Sequence, residues 1–244
     1  MQTIDRIMQI TEILSSSEER ELSISVLSKR CNLPLSTMHR LLNGMIKHGL
    51  IEQNQGTKFY RLGNTWLKYG LQLYDNLDFS EVVRTELEKL MYETGETVYF
   101  NKPDGLSALI IERIDSQKQI RIYDQLGIRI PMNIGAANKA MLANMPKYQA
   151  EEIINALVEI KEREAFQNQL NLIKQQGFSE SHSERTPGTS SVAAPVFNHL
   201  NKVIGAVSIG FVDFNLTKER LNYLAEQIMK TGRSVSRKLG YSKI

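Results

Sequence analysis

Apolar residues recur along this chain at two periods, and the change between them divides it. Ile7, Ile10 and Leu14 have the spacing of one helix face. The polar stretch Ser15 to Glu21 reads as a loop. Ser25 then reads as the N-cap of a short helix that turns Leu27 and Cys31 inward. Asn32-Leu33-Pro34 ends that helix, because proline disfavours helical geometry in the residue before it. Helical spacing resumes with Met38, Leu41, Leu42, Met45 and Ile46 and stops at His48-Gly49, with glycine at the C′ position. Two short helices joined by a tight turn, the second amphipathic, have the layout of a helix-turn-helix. Leu50-Ile51-Glu52 and Lys58 to Leu62 then flank the turn residues Asn54-Gln55-Gly56-Thr57, which predicts a hairpin beside it. Helical spacing returns at Trp66, Gly70, Leu73 and Leu77, and again at Val83, Leu87, Leu90 and Met91, closing at Gly95.

Beyond Gly95 the texture alternates. Thr97 to Asn101, Ala108 to Ile114 and Gln119 to Tyr123 read as strands, with Lys102-Pro103-Asp104-Gly105 as a turn. Ala136 to Asn144, Tyr148 to Val158 and Glu164 to Gln176 read as helices, the last ended by Gly177. Ser191 to Phe197 and Val203 to Val212 read as strands, and Thr217 caps a final helix reaching about Leu239. The expected fold class is α+β: a winged helix-turn-helix over 1–63, a linker helix over 64–78, and a domain over 79–244 with a mostly antiparallel sheet covered by helices.

Composition changes this picture only where charge is concerned. The 244 residues carry a net charge of +3, but Ile24 to Lys68 holds Lys29, Arg30, Arg40, Lys47, Lys58, Arg61 and Lys68 against the single acid Glu52. That window is +6 and the remainder −3, the footprint expected of a nucleic-acid-binding domain. No apolar run is long enough to span a membrane, and the first residues lack the apolar core of a secretory signal. The single Cys31 fits a reducing cytoplasm, and its apolar helical position makes it a core residue rather than a redox sensor.

With Met38, Leu41, Leu42 and Met45 turned to the core, the helix from Ser36 to Lys47 leaves Ser36, Thr37, His39, Arg40, Asn43 and Lys47 outward. Arg can pair with guanine and Asn with adenine, while Ser, Thr and Lys hold phosphates. Lys58, Tyr60 and Arg61 in the hairpin complete the candidate contacts to double-stranded DNA. An enzyme is the competing class: Ser190, Ser191 and His182 could suggest a hydrolase, but no Gly-x-Ser-x-Gly elbow is present. A purely architectural DNA binder would leave the large C-terminal part without a purpose. Glu180, His182 and Glu184 alternate and would share one side of an extended segment, a possible metal set, though three loop residues are more often solvated. No cofactor motif is found, and neither catalytic nor metal residues are assigned.

The run Leu33-Pro34-Leu35-Ser36-Thr37-Met38-His39-Arg40-Leu41-Leu42, followed by Gly49-Leu50-Ile51 and Tyr60-Arg61-Leu62-Gly63, resembles the DNA-binding domain of the IclR family of regulators. Ile130-Pro131-Met132, Lys139-Ala140-Met141-Leu142-Ala143, Gly177-Phe178, Glu184, Pro187-Gly188 and Val192-Ala193-Ala194-Pro195-Val196 resemble segments around that family's effector pocket, in the same order. The resemblance implies a GAF-like C-terminal domain that binds a small metabolite, often an organic or sugar acid, and a homodimer or homotetramer. A repressor is the first reading, with activation left open. Carried over by position, the effector residues would be Ala136, Ala137, Ser181, Ser191, Ser208 and Gly210. The chain departs from the family pattern at Asn138, where glycine is usual, and at Ser181, Ser191 and Gly210, where an acid, a cysteine and a serine occur in relatives.

Overall fold

The computed structural model describes residues 2–75, 79–214 and 216–242. The chain divides into two compact units, residues 1–78 and 79–244. The first is built from α1 (Gln2–Ser16), α2 (Ile24–Cys31), α3 (Leu35–Lys47), β1 (Ile51–Gln53), β2 (Tyr60–Leu62) and α4 (Asn64–Asp75). Its core is the set expected from helical spacing: Ile10, Leu14, Leu27, Cys31, Met38, Leu41, Leu42 and Met45 are all buried. Ile7 is half-buried against this core, and Ile46 stays exposed at the edge of the α3 stripe. Ser23, not Ser25, caps α2, its hydroxyl accepting from the Val26 N–H at 3.4 Å. Asn32 ends α2 in the left-handed region, which an Asn side chain tolerates. Leu22, just past the loop read over Ser15 to Glu21, pairs with Tyr60 through two backbone hydrogen bonds of 2.8 and 2.9 Å and adds a third strand-like segment to the hairpin.

Gly63 sets how the hairpin meets the helices. A Cβ there would lie 2.2 Å from the Gly49 carbonyl oxygen, so only glycine permits this approach. Around it the Gly63 N–H donates to Leu50 O at 2.9 Å and the Trp66 indole donates to the same carbonyl at 2.8 Å. Of the α4 apolar positions read from the sequence, Leu77 lies outside the described residues.

The second unit holds α5 (Ser80–Thr94), β3 (Thr97–Asp104), β4 (Ser107–Ile114), β5 (Arg129–Pro131), α6 (Ala136–Leu142), α7 (Lys147–Leu157), a 3₁₀ turn (Ile160–Glu162), α8 (Arg163–Gln176), β6 (Ser179–His182), β7 (Thr189–Phe197), β8 (Val203–Val212) and α9 (Lys218–Lys238). The six strands form one antiparallel sheet in the order β5-β4-β3-β8-β7-β6. The fold class is therefore α+β. Strand alternation sorts the sheet into two faces. Val98, Phe100, Val192, Ala194, Val196, Val207, Ile209 and Phe211 pack with α5 and α9 residues. Ala193 and Ala206 pack beneath α6, α7 and α8, and Tyr99 with Ile110 and Ile130 forms a smaller cluster on that side.

Two strand readings change. β3 runs on through Lys102-Pro103-Asp104, so the turn is only Gly105-Leu106. Gln119 to Tyr123 is irregular because the free edge of β4 is taken by β5, which pairs Arg129, Ile130 and Pro131 with Leu109, Ala108 and Ser107. The final helix agrees with its sequence signal, the Thr217 hydroxyl accepting from the Arg220 N–H. Among the described residues, no helix is long and apolar enough to cross a membrane.

Candidate functional site

On α3 the burial of Met38, Leu41, Leu42 and Met45 turns the remaining positions outward. Ser36, His39, Arg40, Asn43 and Lys47 are exposed and Thr37 is half-buried. Among the described residues none of these six side chains makes a hydrogen bond or ion pair, so all their donors are free. The hairpin behaves differently. Lys58 is exposed and its ammonium is uncommitted, but Tyr60 is buried at 5% exposure, with its hydroxyl accepting from Gln53 Nε2 at 3.0 Å. Its ring packs into the core of the first unit, so the contact to DNA expected of Tyr60 is withdrawn. Arg61 is half-exposed yet held by Glu52 at 3.0 Å and Glu21 at 3.5 Å. Glu21 also accepts from the Asn54 amide, at 3.0 and 3.2 Å, and thereby fixes the hairpin tip. This acid was missed in the sequence because it sits 33 residues from Asn54.

In the second unit a cavity of about 490 Å³ opens on the α6 side of the sheet. All six residues carried over from the resemblance line it: Ala136, Ala137, Ser181, Ser191, Ser208 and Gly210. Register explains why. Ser181 pairs with Ser191, Ser191 with Gly210, Ala193 with Ser208, and Ser208 with Tyr99, so small side chains lie in adjacent rows on one sheet face. Small residues there leave space that Leu or Ile would fill. Ile110, Ile122, Ile130 and Ile134 form an apolar wall. Among the described residues the Ser181 and Ser191 hydroxyls have no hydrogen-bond partner. The buried Ser208 hydroxyl has a long contact of 3.4 Å to Asn101 Oδ1.

The rim is charged but largely self-compensated. Lys139, with a side chain only 3% exposed, pairs with Glu184. An unpaired ammonium at that depth would be costly. The Glu184 carboxylate also accepts from the Gly135 N–H at 2.7 Å, at the start of α6. Asp124 pairs with Arg185 at 3.0 Å. Residues 121–124 pass over the cavity, held by Tyr99, whose hydroxyl donates to Ile122 O and accepts from the Asp124 N–H, both at 3.3 Å. Burial pushes the Tyr99 phenol well above its ordinary pKa, so it stays protonated. Asn138, the departure from glycine, donates through Nδ2 to Ile130 O and Pro131 O at 3.0 and 2.9 Å and anchors β5 beside the cavity.

The other candidates separate. Ser183 adopts φ 53°, which breaks the alternation after β6, so Glu184 turns to Gly135 and Lys139 while His182 Nε2 lies 3.6 Å from Glu180. No group of three or more His, Cys, Asp or Glu side chains among the described residues is placed to hold a metal. His182 Nδ1 does reach Ser190 Oγ at 2.7 Å, but by strand alternation Ser190 stands on the Val192 face, away from Ser191. Burial also pushes the Cys31 thiol up, as expected for a core residue.

Comparison with known proteins accounts for both units. Residues 3–55 match the IclR helix-turn-helix domain, and residues 71–237 match the family described as bacterial transcriptional regulator IclR C-terminal. The chain belongs to the IclR family. It is 30% identical over 252 residues to the HTH-type transcriptional regulator XynR of Escherichia coli (strain K12), covering 99% of this chain and 98% of that one. Its fold is that of the Thermotoga maritima IclR crystal structure, with a TM-score of 0.80 at 22% identity, covering 99% of this chain and 100% of that one. It is likewise that of an IclR homolog from Microbacterium hydrocarbonoxydans complexed with 4-hydroxybenzoate, with a TM-score of 0.82 at 18% identity, covering 97% and 98%. This IclR-family chain is a DNA-binding transcription regulator. The hydrolase reading of Ser190, Ser191 and His182 falls with that assignment, since the family and these relatives are regulators rather than enzymes.

Proposed function

We propose that this regulator reads a DNA operator as a homodimer and that a small organic or sugar acid in the C-terminal cavity changes its affinity for that DNA. The observation that carries the DNA half is the uncommitted outer face of α3. Arg40 and Asn43 are the base readers, Ser36, Thr37, His39 and Lys47 flank them, and Lys58 holds a phosphate from the hairpin. Arg61 contributes only if Glu52 and Glu21 release it. The dimer is supported by α4, which buries none of its described residues and leaves Leu67, Tyr69, Leu71 and Leu73 more than half exposed. A second subunit covering that surface would give paired recognition helices and a near-palindromic site.

The ligand half rests on the free hydroxyls of Ser181 and Ser191 over a cavity of about 490 Å³, within the usual size range of metabolite sites. That a fold neighbour is complexed with 4-hydroxybenzoate agrees with an organic acid. Ala136, Ala137, Ser208 and Gly210 complete the contact surface. To regulate, the ligand must bind the DNA-competent and incompetent states unequally, and a coupling of about 1–3 kcal/mol is typical. The test is operator binding by fluorescence anisotropy, with and without an acid found by thermal-shift screening, in the parent and in the double variant Ser191→Leu, Ser208→Leu. The variant is expected to bind operator as the parent does but to lose the response. An unchanged response would move the ligand site elsewhere.

A further inference from the structure

The charges around the cavity say where an acidic ligand puts its carboxylate. Two acids line the cavity, and both are engaged: Asp124 by Arg185, and Glu184 by Lys139 and the Gly135 N–H. The start of α6 is thus already filled by the protein's own carboxylate. A ligand carboxylate brought there would meet Glu184 and be repelled, or would have to strip a buried lysine of its counter-charge. Arg113, behind the cavity, is committed to Asp115 at 2.8 Å and to the Asp124 carbonyl at 2.6 Å.

One lining cation is left. Arg121 lies in the irregular segment over the cavity, is exposed, and spends a single guanidinium N–H on the Lys118 carbonyl at 3.1 Å. Among the described residues it meets no carboxylate. A planar guanidinium with unused donors at the mouth of a cavity matches a carboxylate, which it can hold through two parallel hydrogen bonds. The floor beneath supplies the free Ser181 and Ser191 hydroxyls, which suit hydroxyl groups, and the isoleucine wall suits a carbon skeleton.

We propose that Arg121 selects an acidic ligand: it takes the carboxylate of a hydroxylated organic acid at the cavity mouth, while the ligand hydroxyls meet Ser181 and Ser191. The assignment rests on the cavity being the effector site, as argued above. It places the ligand's charge outside the ring of six positions carried over from the family, on a segment whose sequence had suggested a strand.

The experiment compares acids with their neutral amides by calorimetric titration of the full-length protein. The probes are lactate, glycerate, gluconate and 4-hydroxybenzoate, each against lactamide, glyceramide, gluconamide or 4-hydroxybenzamide. At least one acid is expected to bind the parent about tenfold or more tightly than its amide, the range for losing a hydrogen bond to a charged group. Arg121→Gln should bring that acid down to the affinity of its amide, and Arg121→Lys should recover part of the difference. Arg121 is exposed with one backbone contact, so the variants are expected to melt like the parent without ligand. Arg121→Gln with an unchanged acid-to-amide ratio overturns the assignment. So does an affinity that rises in Glu184→Gln and ignores Arg121, which puts the carboxylate at α6. Amides that bind as well as acids leave the cavity reading intact and refute the role of Arg121. If no acid or amide binds the parent, the cavity reading itself fails.

Discussion

Gly63→Ala places one methyl group where the first unit has no room. The added carbon would lie 2.2 Å from the Gly49 carbonyl oxygen, 2.9 Å from its carbon and 3.0 Å from the Ile51 nitrogen. All three are backbone atoms, so no rotamer change relieves the clash; the hairpin must lift away from the end of α3. Overpacking of this kind costs about 1–3 kcal/mol. Separation also strains the Gly63 and Trp66 bonds to Leu50 O and the Thr65 N–H bond to Gly49 O at 3.3 Å, adding about 1 kcal/mol for each one lost. A unit of 78 residues has roughly 4–12 kcal/mol in all, so a loss of about 3–5 kcal/mol removes at least a quarter of its stability and at the lower end all of it. Trp66 is the only tryptophan, so its fluorescence during urea denaturation reports this unit alone. The midpoint should fall steeply and operator affinity with it, while ligand binding by the second unit persists. Gly70→Ala in α4, where a Cβ meets nothing within 4 Å, serves as the control and should stabilise slightly. If Gly63→Ala melts within about 1 kcal/mol of the parent and still binds operator, the close-approach argument is wrong.

Two further outcomes are expected. Arg40→Ala should weaken specific operator binding by about 1–3 kcal/mol, whereas Lys58→Ala should weaken all sequences alike and reduce the salt slope by about one; anisotropy titrations over a range of salt separate the two. Burial disfavours the ionised Glu86 carboxylate, yet hydrogen bonds from Lys89, Ser234 and Lys238 outweigh it and hold the pKa at about 2. A lowered folded pKa gives stability that is present above about pH 4.5 and lost as pH falls towards 2, about 3 kcal/mol in total. Glu86→Gln should flatten acid unfolding across that window, and a profile that still tracks the parent would refute the assignment.

Much of the fold could be read from spacing alone, since helices of ten or more residues show their buried stripe repeatedly. α5 declared itself through its stripe and the closing Gly95, and α9 through its cap, Thr217. Short edge segments did not. Leu22 and β5 are too brief for a period to emerge, and each is recruited by a partner far along the chain. Ile120 and Ile122 mimic a strand by alternating, but Ile122 turns to the cavity and Ile120 to solvent. At the site, residue type indicated the outer face of α3 but could not tell free side chains from committed ones. Arg40 and Arg61 look alike in sequence, and only the folded hairpin brings Glu21 and Glu52 to the second. Arg121 was invisible for the opposite reason, since what marks it is that every neighbouring charge has been claimed.

The alternation along β7 and β8 has a consequence for descent. Ser191, Ser208 and Gly210 face the cavity, with Ala193 packed beneath α6 on the same side, while Val192, Ala194, Val207, Ile209 and Phe211 face α5 and α9. Neighbours in the chain therefore answer to different selective demands. A lineage can exchange one hydroxyl, thiol or methyl for another on the first face and acquire a new chemical appetite. The second face, which holds the domain together, need not change.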